Sequence, residues 1–271
     1  MKSMMLQTTT RDDLNISFIN EEEFEELWHE IFQNNQYIFS CKTDAPFIID
    51  CGAHIGMSIL YFKRRYPYAQ IIAFEPNPQT FQILEQNIRQ NHLQDVQLVN
   101  AGVGNNDGKI PFYVRQDSTK SWGDTSLKGA IVGSEQQWRS ISVHAVRLSS
   151  YITRPIDFLK MDIEGMEETV LREIEEKLPL ITEIRIEFHY NSTNQANNLD
   201  RTLSSLSRNN FKYAFERKRR VISINDIRRD MKHIDPYQFV IYTHRSRRRV
   251  LWQSWFVPKL IRIQNRVMRR V

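Results

Sequence analysis

The hydrophobic pattern of the 271-residue chain alternates between short apolar runs and longer amphipathic segments. Apolar runs at 46–50, 70–75, 96–100 and 156–161 have the length of buried strands. Apolar residues recur at helical spacing after three of these runs, at 55–66, 78–92 and 166–177. Buried strands that alternate with helices predict an α/β protein with a doubly wound, mostly parallel sheet. Ligands of such sheets bind beyond the carboxyl ends of the strands.

The remaining segments predict further elements on both sides of this pattern. Residues 20–33 combine helical spacing with many acids, and residues 182–189 alternate as a half-buried strand before a helix at 199–209. Two more strand pairs are predicted, the second of them antiparallel: 109–115 with 141–147, and 211–217 with 237–243. The chain therefore divides into an N-terminal helical extension at 1–44, an α/β domain at 45–244 and a C-terminal segment at 245–271.

Composition places the chain among ordinary globular proteins, with 41% hydrophobic and 25% charged residues. It offers no run of eighteen uncharged apolar residues for a spanning helix, and residues 1–14 lack the pattern of a secretory leader. We therefore expect a cytoplasmic protein. The two cysteines, Cys41 and Cys51, are too few for a disulfide framework or a structural zinc site.

The C-terminal segment, residues 245–271, is strongly basic. It contains nine Lys or Arg and no acid, so subtracting nine from the net charge of +5 leaves −4 for residues 1–244. Apolar residues at helical spacing predict an amphipathic helix there, at Leu260, Ile263, Val267 and Val271. Such a helix binds an anionic membrane surface, and the alternative is docking on the protein body or on a second subunit. No recognition motif accompanies the arginines, so we expect no nucleic acid partner.

A turn with two glycines follows the first buried strand, with the sequence DCGAHIG over residues 50–56. Gly52 permits a sharp turn, and Gly56 permits close approach of the next helix to a strand or a ligand. Asp50 can anchor the loop or receive an ammonium group through water. Two glycines alone are also compatible with a dinucleotide site or with a purely structural turn.

Glu75 ends the second predicted strand, about twenty residues after the first glycine. A carboxylate at this place can accept hydrogen bonds from both hydroxyls of a ribose. Taken alone it could equally be a solvated strand-end carboxylate. The glycine turn and Glu75 together favour a nucleoside-binding site.

A third polar stretch follows the strand at 156–161 and reads KMDIEGME over residues 160–167. In an extended chain Lys160, Asp162 and Glu164 point to the same side. Two carboxylates and an ammonium group at one strand end are costly unless they are solvated, paired or used in chemistry. The alternative is capping of the next helix, accompanied by a salt bridge from Lys160.

These three stretches together resemble the FkbM family of S-adenosylmethionine-dependent methyltransferases, over roughly residues 45–190. The similar motifs are Asp-x-Gly-Ala-x-x-Gly at 50–56, Phe-Glu-Pro-Asn at 74–77 and Lys-x-Asp-x-Glu-Gly-x-Glu at 160–167. Ser126 and Leu127 also look like the serine–leucine segment of the family. The resemblance implies a seven-stranded, Rossmann-like methyltransferase sheet and O-methylation of a hydroxyl on a sugar, glycolipid or other secondary metabolite.

The resemblance also implies where S-adenosylmethionine binds. It implies contacts at Asp50, Gly52 and Glu75, and after the third strand. His54 stands where members of the family usually carry Asn. With the neighbouring motif residues, the predicted cofactor site comprises Asp50, Gly52, Ala53, His54, Gly56, Glu75, Pro76, Gly102, Val103 and Asp162.

Methyl transfer to a hydroxyl is an in-line displacement that requires alignment and the removal of one proton. Asp162 is our first candidate for the general base and His189 the second, and Lys160 and Glu164 complete the predicted catalytic set. Asp162, Glu164 and His189, with Glu187 on the strand of His189, could also collect a Mg²⁺ or Mn²⁺ ion. A divalent metal is nevertheless not expected.

Two other functions stay open at this point. A peripheral membrane or scaffold protein could have kept a nucleoside-binding fold without catalysis. An NAD-dependent oxidoreductase would need a pyrophosphate cradle, but the turn at 50–56 lacks the middle glycine. The acceptor is a small molecule or a glycan, and its pocket is expected at the 116–140 loop, where Trp122 and Trp138 stack on a sugar or close a core. Assembly as a homo-oligomer is open.

Overall fold

A computed structural model describes residues 6–116, 124–126, 137–193 and 197–246. The strands are β1 (Gln7–Arg11), β2 (Leu14–Phe18), β3 (Phe47–Cys51), β4 (Gln70–Phe74), β5 (Val96–Val99), β6 (Gly102–Gly104), β7 (Gly108–Arg115), β8 (Trp138–Arg147), β9 (Ile156–Met161), β10 (Ile181–Tyr190), β11 (Lys212–Arg217), β12 (Arg220–Ile222) and β13 (Tyr237–His244). The α-helices are α1 (Glu21–Leu27), α2 (Met57–Arg65), α3 (Pro78–Gln90), α4 (Glu167–Glu173), α5 (Leu199–Arg208) and α6 (Ile224–Asp230).

The main sheet contains eight strands in the order β12-β11-β13-β10-β9-β3-β4-β5. The five strands from β10 to β5 are parallel to their neighbours, and they include all of the apolar runs that predicted buried strands. Their carboxyl ends meet at one edge, which is where the turn after β3 and the polar stretch after β9 lie. The α/β class is as predicted, and the sheet is mixed.

The expectation of a seven-stranded sheet does not match this arrangement. The predicted antiparallel pair is present, because β13 pairs antiparallel with both β10 and β11. The eighth strand, β12, pairs antiparallel with β11 across a tight turn at Lys218 and Arg219. No hydrophobic alternation marked this three-residue strand, because two of its three residues are exposed.

Apolar side chains cover both faces of the sheet, as expected for buried parallel strands. One core packs Ile49, Leu159 and Ile184 against α4 and α5. The other packs Ile48 and Phe158 against α2, α3 and the N-terminal residues. Alternate residues of the same strand thus enter opposite cores, which is the period of two that extended chain imposes.

The N-terminal extension is only partly helical. It begins with the hairpin β1–β2, which the hydrophobic pattern did not predict. The hairpin packs on α3, where the Asn87 side chain accepts from the Ser17 N–H and donates to the Ser17 carbonyl. After α1 the chain continues as a π-helix, Trp28–Gln33. Such helices are rare and often occur at functional sites.

A separate three-stranded sheet, in the order β6-β8-β7, lies between β5 and β9 in the chain. Trp122 of the predicted acceptor loop lies outside the described residues. Trp138 begins β8, is buried, and lies 4.7 Å beneath the guanidinium of Arg115.

The basic C-terminal segment lies beyond residue 246 and thus outside the described residues, apart from Arg245 and Ser246. Its predicted helix and its attachment to an anionic membrane therefore stay predictions. Within the described ranges, no helix has the length and apolarity needed to cross a bilayer.

Candidate active site

The turn after β3 depends on its two glycines for packing. Gly52 has a φ of 86°, and a Cβ atom there would lie 1.9 Å from the carbonyl oxygen of Asp162. Gly56 has a φ of 91°, and its Cβ would lie 2.7 Å from Leu84 Cδ1. Both positions therefore exclude larger residues through contacts inside the protein. Gly52 also lines the cavity described below, whereas Gly56 faces α3.

His54 has a backbone conformation that explains the residue types found at its position. Its φ of 51° lies in the left-handed region, where Asn and His are both enriched. Its N–H donates to Glu75 Oε2 at 3.0 Å. Burial lowers the pKa of the His54 imidazole to about 4, so the ring is neutral at pH 7.

Lys160 holds the same turn in place through its ammonium group. Its ammonium group donates to the Gly52 carbonyl at 2.7 Å and lies 3.2 Å from Asp50 Oδ1 and 3.4 Å from Asp162 Oδ2. Ser58 Oγ donates to the other oxygen of Asp50. Burial opposes the charge of Lys160, but attraction to Asp50 and Asp162 outweighs it and raises the pKa of the amine. The end of β3 is thereby tied to the end of β9.

Glu75 lies at the end of β4 and is held by backbone donors on two sides. Its Oε1 accepts from the Asn77 N–H at 2.8 Å and its Oε2 accepts from the His54 N–H. Burial raises the pKa of Glu75 to about 8, against these two hydrogen bonds, which lower it. Each carboxylate oxygen can accept a further hydrogen bond, so both remain able to bind a pair of hydroxyls.

His189 ends β10 and is oriented by a buried carboxylate. Its Nδ1 lies 3.0 Å from Oε1 of Glu167, a fully buried residue of α4. Glu167 also accepts from the Gly165 N–H at 3.1 Å and from Asn197 Nδ2. The other ring nitrogen, Nε2, lies 3.9 Å from Asp162 Oδ1 and 3.6 Å from Glu164 Oε2. Burial opposes a charge on His189, but these carboxylates outweigh it and raise its pKa.

A cavity of about 380 Å³ connects these groups across the carboxyl edge of the sheet. Gly52, Glu75 and Gly102 line it together with Asp162 and His189. The π-helix closes one wall with Glu30 and Ile31. Its described lining contains six acids: Glu30, Glu75, Asp124, Asp162, Glu164 and Glu187.

Burial raises the pKa of several of these acids into the neutral range. The values are about 7 for Glu30 and Asp124 and about 8 for Glu187. Repulsion from Asp162 adds to the effect of burial at Glu30 and Glu187. Crowding of carboxyl groups in a low-dielectric site is relieved when a cation enters it.

The cavity brings together most of the predicted site residues. Those that line it are Gly52, His54, Glu75, Pro76, Gly102, Val103, Asp162, Glu164 and His189. Asp50, Ala53 and Gly56 lie outside its lining, as does Lys160. Lys160 contacts the lining residues Gly52 and Asp162, and Asp50 contacts Lys160.

The candidate metal ligands named from the sequence are only partly assembled. Ligand atoms of Asp162, Glu164 and His189 lie within 4.8 Å of one another, close enough for one divalent ion. Glu187 is not in this group, because its carboxylate accepts from Gln36 Nε2 and Gln238 Nε2. Carboxylate and imidazole donors suit Mn²⁺ and related ions.

Sequence reasoning missed several residues that shape the site. Glu167 stands in the quoted 160–167 motif, whose final acid was the available signal. Glu30 and Tyr37 come from the N-terminal extension, more than a hundred residues before Asp162, and Tyr37 Oη lies 3.5 Å from Asp162 Oδ2. Asp124 accepts from Asn77 Nδ2 at 2.8 Å. No local pattern indicates these long-range contacts.

Comparison with known proteins identifies the class of protein as a methyltransferase. Residues 50–213 match the model of the methyltransferase FkbM domain. The chain therefore belongs to the FkbM methyltransferase family, as the motifs predicted.

Three curated relatives are similar over part of the chain. Methyltransferase 1 of Beauveria bassiana is 31% identical over 57% of this chain and 69% of its own. Methyltransferase sdnD of Sordaria araneosa is 29% identical over 61% and 74%. The 2-O-methyltransferase NoeI of Sinorhizobium fredii is 28% identical over 51% and 61%. A crystal structure of an FkbM methyltransferase from Methylobacillus flagellatus is 16% identical with a TM-score of 0.48, over 75% of this chain and 45% of that one.

Proposed function

We propose that this methyltransferase uses S-adenosylmethionine to O-methylate a hydroxyl of a sugar, glycolipid or secondary metabolite. The observation that carries the proposal is a single cavity lined by two chemically different sets of groups. One set is a glycine turn and a buried carboxylate suited to a nucleoside, and the other is an oriented imidazole beside two carboxylates. The relative NoeI is named a 2-O-methyltransferase, which supports a hydroxyl as the acceptor.

The charge of the cavity favours a sulfonium cofactor over a dinucleotide. Six acids line it, against one arginine, Arg115, and two histidines. Once ionised, these acids would repel a pyrophosphate and attract the sulfonium and ammonium groups of S-adenosylmethionine. Glu75 keeps a free lone pair on each oxygen for the ribose hydroxyls. These features argue against an NAD-dependent oxidoreductase.

The bound cofactor supplies an electrophilic methyl group, and the protein must supply alignment and a place for the acceptor proton. We infer that His189, ahead of Asp162, accepts the proton of the acceptor hydroxyl. The Nδ1 atom of His189 is fixed by Glu167, so Nε2 is directed toward the carboxylates that line the cavity. Asp162 Oδ2 lies 3.4 Å from the Lys160 ammonium group, so this oxygen already has a partner. Glu167 is a positioning residue.

The scaffold alternative finds less support in these contacts. A binding protein without catalysis needs the glycine turn and Glu75, but it has no use for a buried Glu167 that orients an imidazole in the cavity wall. Such a carboxylate–histidine pair is the arrangement that general bases use.

The function is tested by incubating the full chain with S-adenosylmethionine labelled in the methyl group and with a panel of acceptors. The panel contains neutral sugars, glycolipids and polyphenols. We expect transfer to a hydroxyl oxygen, located by mass spectrometry of the product. The same assay after exhaustive chelation with EDTA is expected to keep its rate, since proton removal is assigned to His189.

Two results would contradict the proposal in different ways. Cofactor binding without turnover on any member of the panel would favour the scaffold. Loss of turnover on chelation, with recovery on adding Mn²⁺, would assign Asp162, Glu164 and His189 to a metal instead.

The acidic cavity predicts a pH-dependent preference for the charged cofactor over its product. The raised pKa values of Glu30 and Glu187 mean that these groups gain negative charge as pH rises through about 7 and about 8. S-adenosylhomocysteine lacks the sulfonium charge. The ratio of its Kd to that of S-adenosylmethionine should therefore rise about tenfold from pH 6 to 8.5, measured by calorimetry. In Glu187→Gln the rise should be smaller, and a ratio independent of pH in the wild type would contradict this account.

A further inference from the structure

The two carboxylate oxygens of Asp162 have different surroundings. Oδ2 lies 3.4 Å from the Lys160 ammonium group and 3.5 Å from the Tyr37 hydroxyl. Oδ1 lies 3.9 Å from His189 Nε2, which is too long for a hydrogen bond, and no donor among the described residues reaches it. The side chain of Asp162 is 26% exposed and lines the cavity. The protein therefore holds one oxygen and leaves the other open to a ligand.

A buried arginine holds Tyr37 in its place. Arg185 donates to the carbonyl of Gln36 and, at 3.0 Å, to the carbonyl of Ile38, and these two residues flank Tyr37. Arg185 is 1% exposed and lies 3.1 Å from the carboxylate of Glu183. Burial and the neighbouring acids raise the pKa of Tyr37, so its hydroxyl keeps its proton and can donate it. The position of Tyr37 beside the carboxylate is thus built into the fold.

The imidazole of His189 is held in a similar way. In the neutral ring, Nδ1 carries the proton that Glu167 accepts, so Nε2 presents a lone pair. Nε2 and Asp162 Oδ1 are then two hydrogen-bond acceptors 3.9 Å apart at the cavity wall. Glu164 Oε2, at 3.6 Å from Nε2, adds a third acceptor. A ligand that satisfies this group of atoms must bring several donors.

The spacing of these acceptors indicates how the donors are arranged. A hydroxyl group carries one proton, so a single hydroxyl can donate to His189 Nε2 or to Asp162 Oδ1 but not to both. Hydroxyls on adjacent carbons place their oxygens roughly 2.8 Å apart, the distance of two hydrogen-bonded oxygens, and each can donate outward to its own acceptor. Outward donation from such a pair fits acceptors that are 3.9 Å apart.

A divalent ion is the other occupant that the same groups could hold, because their ligand atoms lie within 4.8 Å of one another. The charge of Lys160 argues against it. Burial opposes that charge, but attraction to Asp50 and Asp162 outweighs it and raises the pKa of the amine. A positive charge therefore already lies 3.4 Å from Asp162 Oδ2, and it would repel a dication bound to the same carboxylate. A neutral pair of hydroxyls meets no such repulsion.

We propose that the acceptor is a vicinal diol, whose reacting hydroxyl donates to His189 Nε2 while the adjacent hydroxyl donates to Asp162 Oδ1. The proposal rests on the function proposed above and narrows its acceptors to those with two neighbouring hydroxyls. In the reaction, the acceptor oxygen bonds to the methyl carbon as the carbon–sulfur bond breaks, and the electron pair of that bond stays on sulfur. The proton of the reacting hydroxyl goes to His189 Nε2. Asp162 orients the diol, and Tyr37 is a positioning residue that acts through Asp162.

Binding is tested with the full chain at saturating S-adenosylhomocysteine, in buffers that contain EDTA and span roughly pH 7–10, so that the neutral form of His189 is included. Two series of probes differ in the presence or position of the second hydroxyl: catechol, resorcinol and phenol, and trans-cyclohexane-1,2-diol, its 1,3 isomer and cyclohexanol. Titrations followed by saturation-transfer NMR give each Kd. We expect the vicinal diol of at least one series to bind about tenfold more tightly than the other two members, since it alone donates one further hydrogen bond to a carboxylate.

Asp162→Ala should abolish this tenfold difference and leave the Kd of the monohydroxyl probe unchanged, because only the second hydroxyl loses its acceptor. Tyr37→Phe should lower the difference to about threefold, because Asp162 Oδ2 loses one of its two partners. Tyr61→Phe is the matched control. It also removes a buried tyrosine hydroxyl that contacts the N-terminal extension, at Asn35 Oδ1, but Tyr61 does not line the cavity.

A vicinal diol that binds no more tightly than its 1,3 isomer, or a difference that Asp162→Ala preserves, would overturn the proposal. So would a difference that appears only when EDTA is replaced by Mn²⁺, because it would assign the diol to a metal ion. Methyl-transfer assays with the same probes separate this proposal from the proposed function. Equal transfer to the monohydroxyl probes would leave the function standing without the diol, and diol-selective binding without transfer would leave the diol site standing without the function.

Discussion

His189→Gln is expected to lower kcat by about 10²- to 10⁴-fold, the range that a general base contributes. Glutamine retains a polar side chain of similar length but cannot take a proton. The Kd for S-adenosylmethionine should stay within about twofold, because His189 is bonded to Glu167, whereas Glu75 is bonded to the backbone of His54 and Asn77. Steady-state rates and calorimetry measure the two quantities separately.

His144→Gln is the matched control, because His144 is exposed on β8 and does not line the cavity. A second variant, Glu167→Gln, tests the positioning role of Glu167 through the pH dependence of kcat. The negative charge of Glu167 raises the pKa of His189, so its removal should move the rising limb of the kcat profile to lower pH. If His189→Gln kept more than about a tenth of the wild-type kcat, the base would be sought at Asp162.

Much of the parallel block was predictable because its strands are buried on both faces. The run at 156–161 coincides with β9, and α3 begins at Pro78, where the proline ring suits the first helical turn. The hydrophobic pattern did not predict strands whose residues show no regular difference between buried and exposed positions. Residues 7–18 form a hairpin whose outer strand is largely exposed, and β12 is too short to show an alternation.

The same distinction applies to the candidate site, where some residues were predictable from strand ends and others depend on long-range packing. Gly52, Glu75 and Asp162 follow directly from strand ends, since parallel strands bring their carboxyl ends to one edge. His189 was predicted at the next strand end, but its partner Glu167 depends on how α4 packs on β10. Glu30 reaches the cavity only because the π-helix crosses the sheet edge. Contacts between distant segments depend on packing geometry that a periodic pattern does not encode.

The N-terminal extension contributes side chains to the cavity as well as to the fold. Its glutamates do not all form a solvated face, because Glu30 enters the cavity and its pKa rises to about 7. The same extension supplies Tyr37 beside Asp162. Two segments outside the family match, 27–37 and 236–238, thus complete the wall of the cavity whose other lining residues come from the matched domain.

Lys160→Met is expected to lower the free energy of unfolding by about 3–5 kcal/mol, the cost of leaving one partner of a buried ion pair uncompensated. Asp50 is 0% exposed and Lys160 is 2% exposed, so water cannot replace the lost partner. The variant also loses the bond that holds the Gly52 carbonyl. Urea unfolding of the full chain, followed by circular dichroism, gives the change.

The double variant Asp50→Asn/Lys160→Met separates the structural role of Lys160 from the catalytic role suggested by its motif. Removing both charges leaves no unpaired ion in the core, so at least half of the lost stability should return. Lys109→Met, on the exposed face of β7, should change stability by less than about 0.5 kcal/mol. A single-variant loss below about 1 kcal/mol would contradict a charged Asp50 in the core. A double variant that regains stability and binds S-adenosylmethionine would identify Lys160 as the anchor of the glycine turn, which acts on the cavity through Asp50 and Gly52 rather than by touching the acceptor.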